Sequence, residues 1–271
     1  MSKNAFKDKV IWITGASSGI GKEMALQLAE EKAILILTSR NTENLQQLGA
    51  QLKDRKVKFH ILPFDLMNTS QISGLVKDAL KLEGIIDIVV HSAGVSQRAL
   101  ATDTSLDVNR KIMELNYFSI IHITSYLMPH FVGRNSGSMV IISSVAGLMG
   151  FPQRSSYAAS KHALKGYFET LQSELYKTNI HISLVYPGRI DTNISKNALS
   201  GSGVPFDKTD ENNEVGMNVT LCSRKIISGI KARKRIIIVA KEEKILFRLW
   251  WFFPSLYYKI AYKKGIEDIK N

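Results

Sequence analysis

Seven short apolar runs rich in β-branched residues punctuate the chain, at Val10 to Thr14, Ile34 to Thr38, Val57 to Leu62, Ile85 to Val90, Met139 to Ser143, His181 to Tyr186 and Ile236 to Val239. Stretches of helical periodicity separate them. From Ser155 to Lys177, for example, Leu164, Tyr167, Phe168, Leu171 and Leu175 recur on one helical face. That segment and the one from Asp107 to Phe131 are the most regular helices expected. Strand and helix thus alternate from end to end, the pattern of a parallel sheet wound in both directions with helices on either side. The expected fold is α/β, a single doubly wound domain with a seven-stranded parallel sheet flanked by helices. Nothing repeats internally, and no tract is of low complexity.

A chain of 271 residues, 45% hydrophobic and 22% charged, suffices for one such domain and requires no second. Its net charge of +12 is unevenly placed. Residues 1–223 carry 23 Lys and Arg against 20 Asp and Glu, whereas residues 224–264 carry 12 against 2. A nearly neutral body without a recognisable nucleic-acid module argues against a polynucleotide partner. The basic part is also aromatic, since residues 244–264 hold Trp250, Trp251, Phe252 and Phe253 among Lys and Arg. Its uncharged run, Leu249 to Tyr258, falls far short of the roughly 20 residues that cross a bilayer. Aromatic groups framed by cations suit an interfacial contact with an anionic membrane, or the closing of a pocket or an oligomer contact. The expected boundaries are therefore a body over 1–243 and a basic aromatic extension over 244–271. The polar start, Met1 to Lys9, shows no targeting segment, so the cytoplasm is expected, with peripheral membrane contact through residues 244–264. Cys222 stands alone, which excludes an intramolecular disulfide and reads as packing.

Candidate chemistry begins where the first apolar run enters Thr14-Gly15-Ala16-Ser17-Ser18-Gly19-Ile20-Gly21 and then a helix. A buried strand turning through glycines into a helix presents free N–H groups and the positive helix end to a pyrophosphate, which makes Gly15, Ser17, Ser18, Gly19, Ile20 and Gly21 candidate dinucleotide contacts in a Rossmann-like domain. At the end of the second run, Ser39-Arg40-Asn41 contains no acid to hold ribose hydroxyls, while Arg40 offers a fork of donors to a 2′-phosphate. NADP(H) is accordingly favoured over NAD(H), with Ser39 and Asn41 as helpers. Further on, Tyr157 and Lys161 lie four residues apart on a helix, and Ser144 precedes Tyr157 by thirteen. An ammonium beneath the phenol is expected to lower a pKa that otherwise leaves about one tyrosine in a thousand ionised at pH 7. Such a set serves proton transfer at a carbinol or carbonyl carbon, with Ser144 hydrogen-bonding the oxygen; Ser143 competes for that role, but strand alternation favours Ser144. The histidines show no paired ligand spacing, so no metal site is expected. The polar, glycine-rich residues 196–218 read as a lid over the substrate.

Together the glycine turn, Ser144 and the Tyr157–Lys161 pair resemble the short-chain dehydrogenase/reductase family, over about Lys7 to Thr192. The resemblance implies further roles. Asp65 and Leu66 would meet the adenine, Ala93 and Gly94 would form the turn beside the cofactor, and Asn116 would complete a catalytic tetrad and fix a water. Pro187, Gly188, Ile190 and Thr192 would hold the nicotinamide amide, and Lys161 its ribose. Ser92 departs from the family's asparagine at the Ala93–Gly94 turn. The family's pairing of two long helices implies a homodimer or homotetramer. More loosely, the tail and Val215-Gly216-Met217 resemble the branch containing 11β-hydroxysteroid dehydrogenase-like and dehydrogenase/reductase member seven-like enzymes, which implies a lipophilic alcohol or carbonyl substrate. The expected activity is interconversion of a carbonyl and an alcohol by hydride transfer with Tyr157 as acid/base. Two alternatives remain open at this level, a 3-oxoacyl-carrier-protein reductase and a noncatalytic NADP-binding sensor or scaffold at a membrane.

Overall fold

Alternate residues of β1 (Val10–Thr14) bury in opposite directions, Ile11 and Ile13 into one apolar layer and Val10 and Trp12 into another. A strand covered on both faces has no polar side, which is why this run is continuously apolar. The chain, described here by a computed structural model over residues 5–206 and 216–267, continues with β2 (Ile34–Thr38), β3 (Phe59–Ile61), β4 (Ile88–His91), β5 (Gly137–Ile142), β6 (Ile180–Pro187) and β7 (Ile236–Val239); the same burial holds through β2, β4 and β6, whereas β3 is half-buried and β7 exposes Ile236 and Ile238. All neighbours pair in parallel, in the order β3-β2-β1-β4-β5-β6-β7. The expected seven-stranded parallel sheet in one α/β domain is present.

In chain order the helices are α1 (Gly19–Glu30), α2 (Thr42–Asp54), α3 (Ile72–Glu83), α4 (Leu106–Met113), α5 (Ser119–Arg134), α6 (Ser155–Glu174), α7 (Val219–Lys231), α8 (Glu243–Phe252) and α9 (Pro254–Tyr262). Helices α1, α2 and α7 cover one face through residues such as Met24, Leu48 and Ile226; α3, α5 and α6 cover the other through Val76, Leu127 and Phe168. Strand order runs one way from β1 to β3 and the other way from β4 to β7. The carboxyl ends of β1 and β4 therefore open a crevice at the point of reversal, where such sheets bind ligands.

Boundaries differ from the pattern in three informative places. The run from Ile85 enters the sheet only at Ile88. Ile86 donates its N–H to His130 Nε2 at 3.2 Å and its carbonyl accepts from Arg134 at 2.9 Å, so side chains of α5 hold this backbone. The helix expected over Asp107 to Phe131 is interrupted by a wider π turn, Glu114–Phe118, between α4 and α5. Such turns insert a residue and recur at functional sites. The described part of the basic extension is two short helices, α8 and α9, and a π turn, Lys263–Glu267; the helices are split at Phe253-Pro254, because proline lacks the N–H that would continue the first. Of the expected lid, residues 207–215 lie outside the described residues. Its flanks are fastened: Ala198 and Met217 are buried, and the Met217 N–H donates to the Arg189 carbonyl at 2.9 Å.

Candidate active site

The glycine turn between β1 and α1 is shaped by close approach. Gly15 has φ +68°, and a Cβ there would stand 2.6 Å from the Ala93 nitrogen; a Cβ on Gly21 would run into the Gly15 carbonyl oxygen. Glycine at both positions lets the turn lie against Ser92-Ala93-Gly94, with Ser92 donating its N–H to the Thr14 carbonyl at 3.2 Å. Gly19 is also left-handed, at φ +52°, and a Cβ on it would reach the Thr192 methyl at 3.5 Å. The turn and the 187–192 segment thus border the same space. Ser18 is the N-cap of α1 and makes no side-chain cap bond, while no acidic residue occupies the first helical turn. These features fit the phosphates of a dinucleotide. Ile20 packs on the core beside them.

Around the turn, Ser17 and Ser39 share a hydrogen bond of 2.8 Å, which ties the loop to the end of β2. Arg40 is exposed and has no ion-pair partner among the described residues. Asn41 caps α2 by accepting from the Asn44 N–H at 2.8 Å, so its side chain is already employed. Asp65 likewise closes its own turn, its Oδ1 accepting from Met67 at 3.0 Å, and Leu66 is buried.

At the reactive end, Tyr157 and Lys161 share one face of α6, and the Lys161 ammonium lies 5.7 Å from the phenol ring centre. Nζ donates to the Ile142 carbonyl at 3.0 Å, at the end of β5. Ser143 and Ser144 diverge. Ser143 turns inward and donates to the Lys161 carbonyl at 3.3 Å, whereas Ser144 is half-buried, caps the following turn and hydrogen-bonds Tyr157. Asn116, fully buried in the π turn, accepts from the Val95 N–H at 2.8 Å and donates to the Val95 carbonyl at 2.9 Å and to Ser160 Oγ at 3.0 Å. Both its amide hydrogens are thereby spent on the Ala93–Gly94 turn and on α6, leaving one Oδ1 lone pair for a water.

The expectation that Lys161 lowers the Tyr157 pKa needs correction. Burial pushes the phenol above its usual value of 10.0, opposed by the Ser144 hydrogen bond and by the Arg154 guanidinium. Lys161 itself is pushed down by burial, to about 8. Its charge is expensive where it stands, and the Arg154 guanidinium adds a second cation that draws the phenol's pKa down.

The remaining cofactor candidates lie where β6 ends. Pro187 closes the strand, and Gly188 faces the buried Glu243, whose carboxylate would stand 2.7 Å from any Cβ on that glycine. Glu243 accepts from the Arg189 N–H at 2.7 Å and the Lys241 N–H at 3.1 Å. Ile190 is buried, and the Thr192 hydroxyl makes only a long 3.4 Å contact with the Ile190 carbonyl. Among the described residues no group of three or more His, Cys, Asp and Glu is gathered as a metal would need.

The profile of the family described as "short chain dehydrogenase" matches residues 9–202. The chain is 36% identical over 263 residues to "Dehydrogenase/reductase SDR family member 7B" of Danio rerio, covering 94% of this chain and 84% of that protein. The chain belongs to the short-chain dehydrogenase family. Family members are nicotinamide-dependent oxidoreductases. Two solved members of the family share the fold. A short-chain dehydrogenase from Sphingobium yanoikuyae in complex with NADPH aligns with TM-score 0.75 and 26% identity over 85% of this chain and 87% of that one. One from Burkholderia phymatum in complex with NAD aligns with TM-score 0.83 and 22% identity over 94% and 96%.

Sequence reasoning passed over three residues of this short-chain dehydrogenase site. Glu243 looked like the edge of a basic tail, although an acid among cations was its signal. Arg154 lies three residues before Tyr157, a spacing that puts it one helical turn away. Gln97 carried no signal in periodicity or motif.

Proposed function

We propose that this short-chain dehydrogenase is an NADP(H)-dependent carbonyl reductase or alcohol dehydrogenase that acts on a lipophilic substrate, with Tyr157 as the acid/base. The observation that carries this reading is a buried phenol, hydrogen-bonded to Ser144, on the same helical face as a buried ammonium and beside a turn built for phosphates. A bound nicotinamide dinucleotide would supply the hydride. Gly15 to Gly21 would hold its pyrophosphate, and Lys161 has donors to spare for its ribose after bonding Ile142. Burial keeps Tyr157 protonated at neutral pH, so its resting form is ready to donate to a carbonyl oxygen while Ser144 hydrogen-bonds that oxygen. In the alcohol-oxidising direction the same phenol must first lose its proton, which makes that direction the more alkaline of the two.

The preference for NADP(H) rests on Arg40, exposed at the end of β2 with no acid at 38–41. The lipophilic substrate is supported by α8 and α9, whose exposed Trp251, Phe252 and Phe253 lie among Lys244, Arg248 and Lys259 and suit an anionic lipid surface. No described helix is long and apolar enough to cross a membrane.

The test follows NADPH oxidation with all-trans-retinal, a ketosteroid, 9,10-phenanthrenequinone and an acetoacetyl thioester. Tyr157→Phe is expected to lower kcat about 10²- to 10⁴-fold on the active carbonyls. Turnover equal to the parent's removes Tyr157 from the chemistry; activity confined to the thioester replaces the lipophilic reading with acyl-carrier reduction. Arg40→Ala is expected to weaken NADPH binding about tenfold and leave NADH unchanged; equal effects on both overturn the cofactor choice.

A further inference from the structure

Gln97 has no exposed surface and lies on the segment that follows the Ala93–Gly94 turn. Its side chain spends its whole hydrogen-bonding capacity. Oε1 accepts from the Ser156 N–H at 2.8 Å and from the Tyr157 N–H at 3.4 Å. Nε2 donates to Thr104 Oγ1 at 2.7 Å and to Ser155 Oγ at 3.3 Å. The first N–H groups of any helix lack intrahelical acceptors, and a side chain at the N-cap normally serves them. In α6 that residue is Arg154, which provides no such acceptor. Gln97 supplies it instead, from 59 residues away in sequence.

The segment carrying Gln97 is itself fastened on every side. Val95 exchanges two hydrogen bonds with Asn116. Ser96, also buried, accepts from Arg154 Nη1 at 2.6 Å. Gln97 forms a bridge with Leu199, where the Leu199 N–H donates to Ser96 at 2.9 Å and the Arg98 N–H donates to Leu199 at 2.8 Å. One short segment therefore joins the cofactor-side turn, the stretch downstream of Thr192 and the start of the helix bearing Tyr157.

We propose that Gln97 is a positioning residue for proton transfer: as the distant cap of α6 it fixes the first helical turn, and with it the height of the Tyr157 phenol against Ser144. The inference rests on Tyr157 being the acid/base. A polar side chain that only filled the core would change stability when replaced and leave the titration of turnover alone. Loosening this turn weakens the Ser144–Tyr157 hydrogen bond, one of the two influences that hold the phenol's pKa down, so the group governing turnover should titrate at higher pH.

The experiment uses the full chain with Gln97→Met, which keeps length and loses every polar atom, and Gln97→Glu, which keeps the acceptor. NADPH oxidation with 9,10-phenanthrenequinone is followed across pH, NADPH binding by fluorescence, and amide hydrogen exchange in α6 by mass spectrometry. Gln97→Met is expected to lower kcat about tenfold, move the alkaline limb to higher pH and leave NADPH affinity within about twofold. Exchange at Ser156 and Tyr157 should accelerate. Gln97→Glu should recover most of the kcat and the protection. Should Gln97→Met not fold, Thr104→Val removes a partner that orients Nε2, together with that hydroxyl's own bond to the Leu100 carbonyl at 2.7 Å, and should give the same pH shift with a kcat loss of about threefold. Parental kcat and pH profile in Gln97→Met, or unchanged exchange at Ser156 and Tyr157 whatever the carbonyl used, overturn the proposal. A Gln97→Glu protein as impaired as Gln97→Met does the same. Full turnover by Tyr157→Phe removes the reading beneath it, whereas an inactive Tyr157→Phe beside a normal Gln97→Met removes this inference alone.

Discussion

Lys161 serves the site at a cost to the fold. Its ordinary pKa of 10.5 falls to about 8 because burial disfavours the ammonium. The folded value lies below the unfolded one, so the unfolded chain holds this proton more tightly. The penalty is complete below about pH 8, shrinks as pH rises from there, and is gone above 10.5. That shift corresponds to about 3 kcal/mol. Replacing Lys161 by Met removes the penalty and leaves the Ile142 carbonyl unpaired, a loss of about 1 kcal/mol. Lys161→Met should therefore melt about 5 °C higher than the parent at pH 7, with turnover abolished, and the gain should vanish by about pH 10. Differential scanning calorimetry at the two pH values decides it, and a lower melting point at pH 7 refutes the argument. That Tyr157, Lys161 and Ser144 come together was legible because helix spacing and strand alternation act locally. The direction of the Tyr157 pKa was not. Sequence shows that a cation is near in number along the chain, while desolvation depends on what packs over the phenol from elsewhere.

At the level of elements, all seven apolar runs became strands: the central ones are covered on both faces and leave no polar positions to blur them, and β7 at the edge keeps isoleucine even on the face where Ile236 and Ile238 are exposed. The π turn at Glu114–Phe118 stayed hidden for the opposite reason. One inserted residue barely disturbs an apolar stripe, yet it turns Asn116 inward to meet Val95 and Ser160. Asn116→Ala is expected to strand the Val95 N–H and carbonyl in the interior and to cost about 3 kcal/mol in urea denaturation. Asn116→Asp, which keeps the acceptor for Val95, should cost less than the alanine. Loss under about 0.5 kcal/mol for Asn116→Ala would mean that the Ala93–Gly94 turn holds its shape without this side chain.

The whole molecule is organised so that its most exposed apolar elements are tied to the walls of the site. Glu243, the first residue of α8, holds Arg189 next to the expected nicotinamide segment. From α9 the buried Tyr257 donates its hydroxyl to the Gly150 carbonyl, and Gln153 Nε2 donates to the Gly265 carbonyl at 2.7 Å, both in the loop that leads into α6. Between these ties the helices leave Trp251, Phe252, Phe253 and Tyr258 each at least 60% exposed. A side chain needed only to close a pocket would not face water, so the outward aromatic face calls for a covering surface, and the surrounding cations favour an anionic one. Liposomes containing phosphatidylserine should carry the full chain upward in flotation at low salt and release much of it at high salt, since only the electrostatic part is screened. Trp251→Ser with Phe252→Ser and Phe253→Ser should abolish flotation at either salt while leaving Glu243 and Tyr257 in place and the melting point within a few degrees. Flotation by the triple variant equal to the parent's would move the contact elsewhere on the molecule. A parent that stays at the bottom of the gradient but elutes as an oligomer that the triple variant dissolves would make the aromatic face a subunit contact. If the lipid contact holds, a substrate dissolved in the bilayer would reach the loop that leads into α6, and Tyr157 just beyond it, along α9, which Tyr257 already bonds to that loop.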